Sequence, residues 1–456
     1  MSEKVPFYES VAKKTPAKKN GKAKNKVEPA FKTGKKAALE NAGRNNPKAS
    51  AVQQKKARIE NGRTFAYEIS ENIFGQFSKD SKTIISSFDE IVQSVSPLNS
   101  KQFCALPHKI KELSHDLTDT RNMRRLGYMN SKEYLSAYVR YFAWWNLFRL
   151  CSVFESFESD AFAFLKDGDV ILDIGSGPLT AVIALWLARP ELRAKKLNVV
   201  AVDLSSGALS LGEELFLAVA ARTCSQNEMP WHITRIKGTF GTEIREKASF
   251  IICANMFNEL LQDSQKPIEE DVKICQKKLL SYAAEKSAFF IAEPGVPRGS
   301  RFVSLIRDGF IRKGFAISSP CPHCSECVFA GTKNAKWCHF VRSTEDAPKP
   351  LLKRSEDAML SKDRATISFV FASPQKKSAK PETEKGELFV RIVSDEIKLP
   401  YGRQGRYGCS KWGAVLLTGR PLKLVSGSLV CIKINENQKK FLQKDKKTGF
   451  LMIELS

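Results

Sequence analysis

A short strand that runs into a glycine turn and then an apolar helix most constrains the fold of this 456-residue chain. The strand at residues 170–172 leads into DIGSGPLT at residues 173–180. Glycines at such a turn let the backbone approach a ligand closely, and the helix that follows offers free N–H groups to a negative group. The dinucleotide fingerprint G-x-G-x-x-G fails, because its third glycine position holds Thr180. The turn therefore predicts an α/β domain with a ligand site at the carboxyl end of a strand.

Further strands alternate with helical stretches over residues 166–372. Leu179–Ala188 is the helix after the turn. The strands that we predict are Asp169–Ile174, Asn198–Val202, Trp231–Ile236, Phe250–Cys253, Ala288–Ala292 and Thr366–Phe371. This alternation indicates a parallel sheet with helices on both faces.

The rest of the chain divides by composition. Residues 64–165 show apolar side chains at helical spacing and predict a helical domain. Residues 373–387 are a polar, proline-containing linker, and residues 388–456 predict a small β domain with four strands. Those strands are Leu388–Val393, Ala414–Leu417, Leu429–Ile434 and Phe450–Leu455.

The chain is strongly basic, with 73 Lys and Arg against 49 Asp and Glu, a net charge of +24. Residues 1–63 carry 17 basic and 5 acidic side chains, so half of the excess (+12) lies there. Such a stretch, with few large apolar residues, predicts a disordered basic arm. The charge favours a nucleic-acid partner first and an anionic membrane second. Candidate phosphate contacts in the β domain are Arg391, Arg403, Arg406, Lys411 and Arg420.

The Asp173-x-Gly175-x-Gly177 pattern resembles the first motif of class I S-adenosylmethionine-dependent methyltransferases. The resemblance implies a Rossmann-like fold in which the glycine loop surrounds the methionine part of the cofactor. It also implies that the acid after the second strand, Asp203, holds the ribose. The candidate cofactor-binding residues are Asp173, Gly175, Gly177, Asp203 and Asn255.

No catalytic residue can be assigned from the sequence. Residues 255–260 read NMFNEL and lack the Asn/Asp-Pro-Pro-aromatic motif with which amino-group methyltransferases grip a flipped base. No cysteine has the Pro-Cys context that cytosine C5 chemistry uses. Glu293, which ends another strand, is either a base at the pocket or the cap of a helix.

Eleven cysteines are distributed unevenly, and the segment at residues 317–343 contains four of them within 18 residues. Three interpretations compete. Cys321 and Cys324 form the Cys-Pro-His-Cys of a thiol oxidoreductase, although no thioredoxin-like unit surrounds them. Cysteines and His339 suit a structural zinc. Four thiolates equally suit an iron–sulfur cluster.

The cysteine motifs also carry a second resemblance. Cys-Pro-His-x-x-x-Cys at residues 321–327, Trp-Cys-His-Phe at 337–340 and the distant Cys409 resemble a methyltransferase-like family. That family acts in small-ribosomal-subunit assembly in bacteria and mitochondria, and the resemblance covers about residues 115–415. It implies a 4Fe–4S cluster, with zinc as the alternative, and a partly variable spacer that holds Cys324. The implied ligands are Cys321, Cys327, Cys338 and Cys409.

These observations favour an assembly factor that binds small-subunit ribosomal RNA and the pre-ribosomal small subunit as a monomer. An active rRNA methyltransferase is the alternative, and a thiol oxidoreductase at Cys321 and Cys324 ranks third. Residues near Met1 form no apolar signal segment and no typical mitochondrial presequence. We therefore expect an intracellular protein of the bacterial cytoplasm that is not bound to a membrane, with the mitochondrial matrix as the alternative.

Overall fold

The computed structural model describes residues 64–118, 128–226, 228–330, 336–374, 386–419 and 422–456. The basic arm predicted for residues 1–63, most of the linker and Arg420 lie outside these described residues.

The described chain begins with strand β1, Tyr67–Asn72, and continues into a group of helices. Helices α1–α5 are Lys79–Ser86, Phe88–Val95, Ser100–Thr118, Lys132–Ala137 and Trp144–Glu155. A π-helical turn at Tyr138–Ala143 joins α4 to α5. The predicted helical character is confirmed, and none of the helices in the described ranges is long and apolar enough to cross a membrane.

The central sheet follows these helices. Its strands β2–β9 are Val170–Ile174, Asn198–Asp203, His232–Lys237, Ala248–Ala254, Ala283–Glu293, Ala316–Ser319, Phe340–Ser343 and Arg364–Ser373. The strand order is β4-β3-β2-β5-β6-β9-β7, with β8 paired to β9. Strands β2–β6 run parallel, whereas β9 is antiparallel to both of its neighbours in this order. The predicted α/β fold is confirmed, with one reversed strand in the otherwise parallel order.

Helices cover both faces of this sheet, because the side chains of its central strands are buried on both sides. Helices α6–α11 are Thr180–Ala188, Ser206–Thr223, Phe257–Leu260, Ile268–Tyr282, Pro297–Arg312 and Lys349–Asp357. Ile171 faces the core formed with α5, α6 and α7, whereas its neighbour Leu172 faces the core formed with α9 and α10. The N-terminal helices join the first of these cores, where the Cys151 thiol donates to the Ala184 carbonyl at 3.6 Å.

A second sheet contains the C-terminal strands. Strands β10–β15 are Glu387–Ile392, Ile397–Lys398, Gln404–Ser410, Gly413–Gly419, Ser428–Lys433 and Leu451–Glu454, and helix α12 is Glu436–Lys439. Strands β10, β12 and β13 form a meander, and β14 returns to pair with β10, which is a Greek-key arrangement. Strand β15 then pairs in parallel with β13.

Strand β1 belongs to this C-terminal sheet and is the exception to the helical prediction for residues 64–165. It pairs antiparallel with β14, and Phe65 just before it bridges Leu455 at the end of β15. The segment YEISEN shows little sign of a strand, because four of its six residues are polar and all six are exposed or half-buried. Both ends of the described chain therefore meet in one sheet.

Candidate functional site

The glycine turn between β2 and α6 is bent sharply at the edge of the sheet. Gly175 and Gly177 have φ values of +70° and +51°, which glycine adopts without steric cost. The Gly175 and Ser176 amides both donate to the Val202 carbonyl of β3, at 2.9 and 3.1 Å. These bonds fix the turn against the neighbouring strand.

Asp203, at the end of β3, closes the turn from the other side. Its carboxylate accepts hydrogen bonds from the Gly177 amide at 2.9 Å and the Ser205 amide at 2.8 Å. Burial raises the pKa of Asp203, although both amide bonds favour its charged form. The carboxylate lies at the rim of a cavity of about 170 Å³, where Gly175, Gly177 and Asn255 also lie. Four of the five predicted cofactor residues are thus brought together.

The fifth, Asp173, lies beneath the turn and is not part of the cavity wall. It is 1% exposed and accepts a hydrogen bond from the Ser176 hydroxyl at 2.7 Å. Burial raises the pKa of Asp173 to about 7. Its position is that of a support for the turn rather than a contact to a molecule in the cavity.

Residues after β5 form the opposite wall of the cavity. Asn255 has a φ of +60°, and its amide donates to the Ala292 carbonyl at 2.7 Å. Glu293 is fully buried and accepts from the amides of Phe257 and Asn258, at 2.8 and 3.0 Å. Of the two roles considered for Glu293, the geometry is that of the cap of helix α8. Burial raises its pKa to about 8.

Three cavity residues come from the N-terminal helical region and were not predicted as cofactor residues. Tyr128, Met129 and Tyr138 line the cavity, and the Ser205 hydroxyl donates to the Met129 carbonyl at 3.1 Å. Tyr138 belongs to an aromatic stretch that we interpreted as core alone. No local signal distinguishes it, because its position depends on how the helices pack against the central sheet.

The predicted cysteine ligands converge at the junction of the two sheets. Cys321, Cys327 and Cys338 lie between β7 and β8, and Cys409 lies on β12 of the C-terminal sheet. All four line one small cavity of about 20 Å³. Cys324 is exposed and is not part of this cavity, so the structure separates it from the other cysteines.

Hydrogen bonds hold the cysteine segment in place. The Cys327 amide donates to both Asp308 oxygens at 3.1 Å, and Arg307 donates to the His323 carbonyl at 2.7 Å. The Arg391 Nε donates to the Pro320 carbonyl, next to Cys321, at 2.8 Å. Buried guanidinium groups from α10 and β10 thus fix the segment from two sides.

His323 contacts the cysteine that comes from the other sheet. Its Nε2 lies 3.1 Å from the Cys409 Sγ, and its Nδ1 accepts from the Ser325 amide at 3.2 Å. Because Nδ1 accepts, the ring proton is on Nε2 and points at the sulfur. Burial lowers the pKa of His323 to about 4, so the ring is neutral at pH 7.

Three of these thiols, those of Cys327, Cys338 and Cys409, are in surroundings that disfavour unpaired negative charge. Burial and the nearby Cys321 raise the pKa of Cys327 to about 11. Burial first, and then the neighbouring thiols, also raise the pKa values of Cys338 and Cys409. A cation bound among them would reverse this effect, because it favours the thiolates.

The arrangement is not that of a preformed site for a single ion. Within the part of the chain that the structure describes, no group of three or more His, Cys, Asp or Glu side chains could hold a metal ion. A single zinc ion would draw every sulfur to about 2.3 Å, and hence the sulfurs to within about 4 Å of one another. What the structure does show is four cysteine side chains, from the two sheets, around one small cavity.

Two of the predicted phosphate contacts are wrong. Arg391 and Arg406 are buried and pair with Glu71 at 2.6 Å and Glu396 at 3.3 Å. Both side chains stabilise the C-terminal sheet from within and cannot reach a phosphate. Arg403 is half-buried and Lys411 is exposed.

Comparison with solved structures finds methyltransferases. A SAM-dependent methyltransferase from Aquifex aeolicus is 17% identical, covers 48% of this chain and 92% of its own, and gives a TM-score of 0.25. A putative RNA methyltransferase from Pyrococcus horikoshii is 15% identical, with coverage of 47% and 79% and a TM-score of 0.25. A SAM-dependent methyltransferase from Thiobacillus denitrificans, solved with S-adenosyl-L-homocysteine, is 10% identical, with coverage of 48% and 89% and a TM-score of 0.27.

The strand order β4-β3-β2-β5-β6-β9-β7 and the glycine turn after β2 are those of the expected class I methyltransferase fold. A search of curated proteins found no significant match. A family model described as "Mitochondrial small ribosomal subunit Rsm22" matches residues 136–397, more than half of the chain. The match covers the glycine turn, the cavity wall after β5 and three of the four converging cysteines. The chain therefore belongs to the Rsm22 family of the mitochondrial small ribosomal subunit.

Proposed function

We propose that this protein is an assembly factor of the small ribosomal subunit that binds S-adenosylmethionine, a 4Fe–4S cluster and ribosomal RNA. The observation that carries the proposal is the convergence of four cysteines at the junction between a methyltransferase fold and a second sheet. A chain built only for methyl transfer has no need of this junction. Family membership supports the small subunit as the partner, and it favours the mitochondrial matrix over the bacterial cytoplasm that we expected.

The cofactor cavity supports the binding of S-adenosylmethionine. Asp203 would accept the ribose hydroxyls, and Gly175 and Gly177 leave room for the methionine part, because neither has a side chain. Asn255 lies on the opposite wall at Ala254–Met256.

The cluster assignment rests on the donor set. Cys321, Cys327, Cys338 and Cys409 would each bind a separate iron, which keeps four sulfurs around one cavity without bringing them together on a single ion. When bound, such a cluster would supply either a strong covalent link between the two sheets or an electron-transfer centre. The His323 N–H would donate to the Cys409 sulfur, and such hydrogen bonds adjust the reduction potential of clusters.

An active rRNA methyltransferase is the second candidate. The open cavity favours it, whereas the helix-capping position of Glu293 removes the base that the sequence offered at that edge. A thiol oxidoreductase is less supported, since Cys324 is exposed and does not line the cavity where Cys321 lies.

Metal analysis after anaerobic purification tests the cluster. We expect about four irons and four sulfides per chain, retained in Cys324→Ser and lost in Cys327→Ser. Stoichiometric zinc, or iron loss in both variants alike, would contradict the assignment of ligands.

Two further experiments test the choice between the two candidate functions and the role of the basic arm. Mapping modified ribosomal nucleotides in cells that lack the protein separates the candidates, because one missing methyl group identifies an enzyme. An unchanged map with immature small subunits identifies an assembly factor.

Removing residues 1–63 should weaken RNA binding and make it less sensitive to salt. Each phosphate contact contributes about −0.9 to the slope of the log binding constant against the log salt concentration on duplexes. An unchanged slope would refute a docking role for the arm.

A further inference from the structure

The segment between β14 and β15, residues 434–450, is the most basic exposed stretch of the described C-terminal sheet. It contains five lysines, and its acidic residues are Glu436 and Asp445. Four of these lysines, Lys440, Lys444, Lys446 and Lys447, are exposed. None of the four forms an ion pair with another described residue. We call residues 434–450 the lysine loop.

The lysine loop has a fixed conformation. Asn435 and Gln438 form a capping box at the start of α12. At the other end, Asp445 accepts from the Thr448 amide at 2.9 Å and its hydroxyl at 2.6 Å, and the Met452 amide donates to the Gln443 carbonyl at 2.8 Å. The lysines are therefore presented on an ordered surface.

An aromatic ring lies exposed among these lysines. Phe441 is 77% exposed, whereas the adjacent Leu442 packs against the core of the sheet. Beside the loop, the Trp412 indole N–H donates to Glu436, and the Lys439 ammonium lies 5.2 Å from the centre of the Trp412 ring. An ordered surface with an exposed ring and several unpaired cations suits unpaired bases, which stack on rings while their phosphates contact lysines.

The packing of the C-terminal sheet leaves the same surface open. Here β12 carries Cys409 and Tyr407 on the face that meets the cysteine segment, and Phe450 packs between Tyr407 and Phe329, at 5.4 and 5.9 Å. That face is covered, and the lysine loop, which follows β14, remains open to solvent.

We propose that the lysine loop binds single-stranded RNA, with Phe441 stacking on a base and Lys444, Lys446 and Lys447 contacting phosphates. The proposal rests on the proposed ribosomal RNA partner and names the surface that contacts it. It assigns RNA binding to a second site, separate from residues 1–63 and from the cofactor cavity.

The test uses the full-length protein and a fluorescent 20-nucleotide oligouridylate, with an RNA duplex of equal length as the second probe. Phe441→Ala should weaken binding of the single strand about 5- to 150-fold and leave the duplex nearly unchanged. Val425→Ala, which removes part of a 60% exposed apolar side chain in the loop between β13 and β14, is the control and should bind like the wild type.

The charge contribution is measured by the salt dependence. The slope of the log binding constant against the log salt concentration is negative. In the triple variant Lys444→Gln, Lys446→Gln and Lys447→Gln, it should become less steep by about 2 on the single strand, at about 0.7 per phosphate. A triple variant with the same charge change on exposed lysines in and beside α9, at Lys266, Lys273 and Lys277, is the control.

The outcomes separate this inference from the proposed function. If the wild type binds RNA while the loop variants behave like their controls, the lysine loop is not the RNA surface. If Phe441→Ala weakens binding to the duplex as much as binding to the single strand, stacking on a base is refuted. If the loop variants lose only binding to RNA-free ribosomal proteins, the surface recognises protein and the inference is overturned. If the wild type binds no RNA, the ribosomal RNA partner itself is refuted.

Discussion

At the scale of single residues, Gly175 is constrained twice, by its backbone and by its neighbour. Its φ is +70°, and a Cβ at this position would lie 2.4 Å from the Met256 Cγ. Gly168 has a φ of +87° but no heavy atom within 4 Å of an added Cβ. The two positions therefore separate the cost of a left-handed backbone from the cost of a steric clash.

We expect Gly175→Ala to lower the free energy of unfolding by about 2–4 kcal/mol, against about 1–2 kcal/mol for Gly168→Ala. Only Gly175→Ala should also abolish binding of S-adenosylmethionine, because Met256 would be pushed into the cavity. Urea unfolding and titration calorimetry check the pair. Equal losses of stability, with cofactor binding retained in both, would contradict this account of the turn.

Asp173 predicts a pH dependence of stability. Its pKa is about 7 in the folded protein and near 3.8 when unfolded, so the native state keeps a proton between these values that the unfolded state loses. The free energy of unfolding should therefore fall as pH rises from about 4 to 7, with at most about 4 kcal/mol from this group.

Asp173→Asn keeps an oxygen that can accept from Ser176 and removes the titration, so the decline should become shallower. Urea unfolding between pH 4.5 and 7.5 measures it, with Asp363→Asn at an exposed position as the control. The same decline in both variants would show that Asp173 does not titrate in this range.

The residues of the site differ in how far the sequence predicts them. The spacing of the glycines and the position of Asp203 after a strand locate the cofactor cavity, because parallel strands end at one edge of a sheet. Tyr138 reaches the same cavity from a distant helix, and its sequence context is indistinguishable from that of the core aromatics around it. Arg391 shows the opposite error. Its place on a basic chain predicted a phosphate contact, but the side chain is buried and pairs with Glu71.

At the scale of elements, strand β1 attaches the N-terminal part of the described chain to the C-terminal sheet. Glu71 on β1 pairs at 2.6 Å with Arg391, which also donates to the carbonyls of Pro320 and Gly427. One buried guanidinium thus connects β1, the cysteine segment and the turn before β14. The strand is hard to predict from sequence because its partner lies about 360 positions away and its own side chains are mostly polar.

We expect Glu71→Gln to lower the free energy of unfolding by about 1–3 kcal/mol, since it leaves Arg391 buried with an uncompensated charge. The estimate is below that for a fully buried pair because the Glu71 side chain is 36% exposed. Glu68→Gln, on the same strand, removes an exposed pair with Lys433 at 3.9 Å and should cost less than about 1 kcal/mol. Urea unfolding of both variants checks this, and equal costs would refute the connecting role of Arg391.

At the scale of the whole molecule, the four cysteines of the cavity lie where the central sheet meets the C-terminal sheet. Three of the cysteines belong to the side of the methyltransferase fold, whereas Cys409 is part of β12. A group bound by all four would therefore stabilise the contact between the two sheets, and its loss would leave that contact to side-chain packing and to Arg391.

We expect Cys409→Ser to lose bound iron and to speed amide hydrogen exchange in β10 and β12, with little change in β2 and β3. Cys431→Ser is the matched control, because Cys431 lies on β14 of the same sheet and does not line the cysteine cavity. Treating the wild type with an iron chelator after oxidation should reproduce the exchange pattern of Cys409→Ser. If Cys409→Ser keeps its iron, Cys409 is not a ligand. If it loses iron while β10 and β12 exchange as slowly as in Cys431→Ser, the site binds metal without holding the two sheets together, because packing alone is then sufficient.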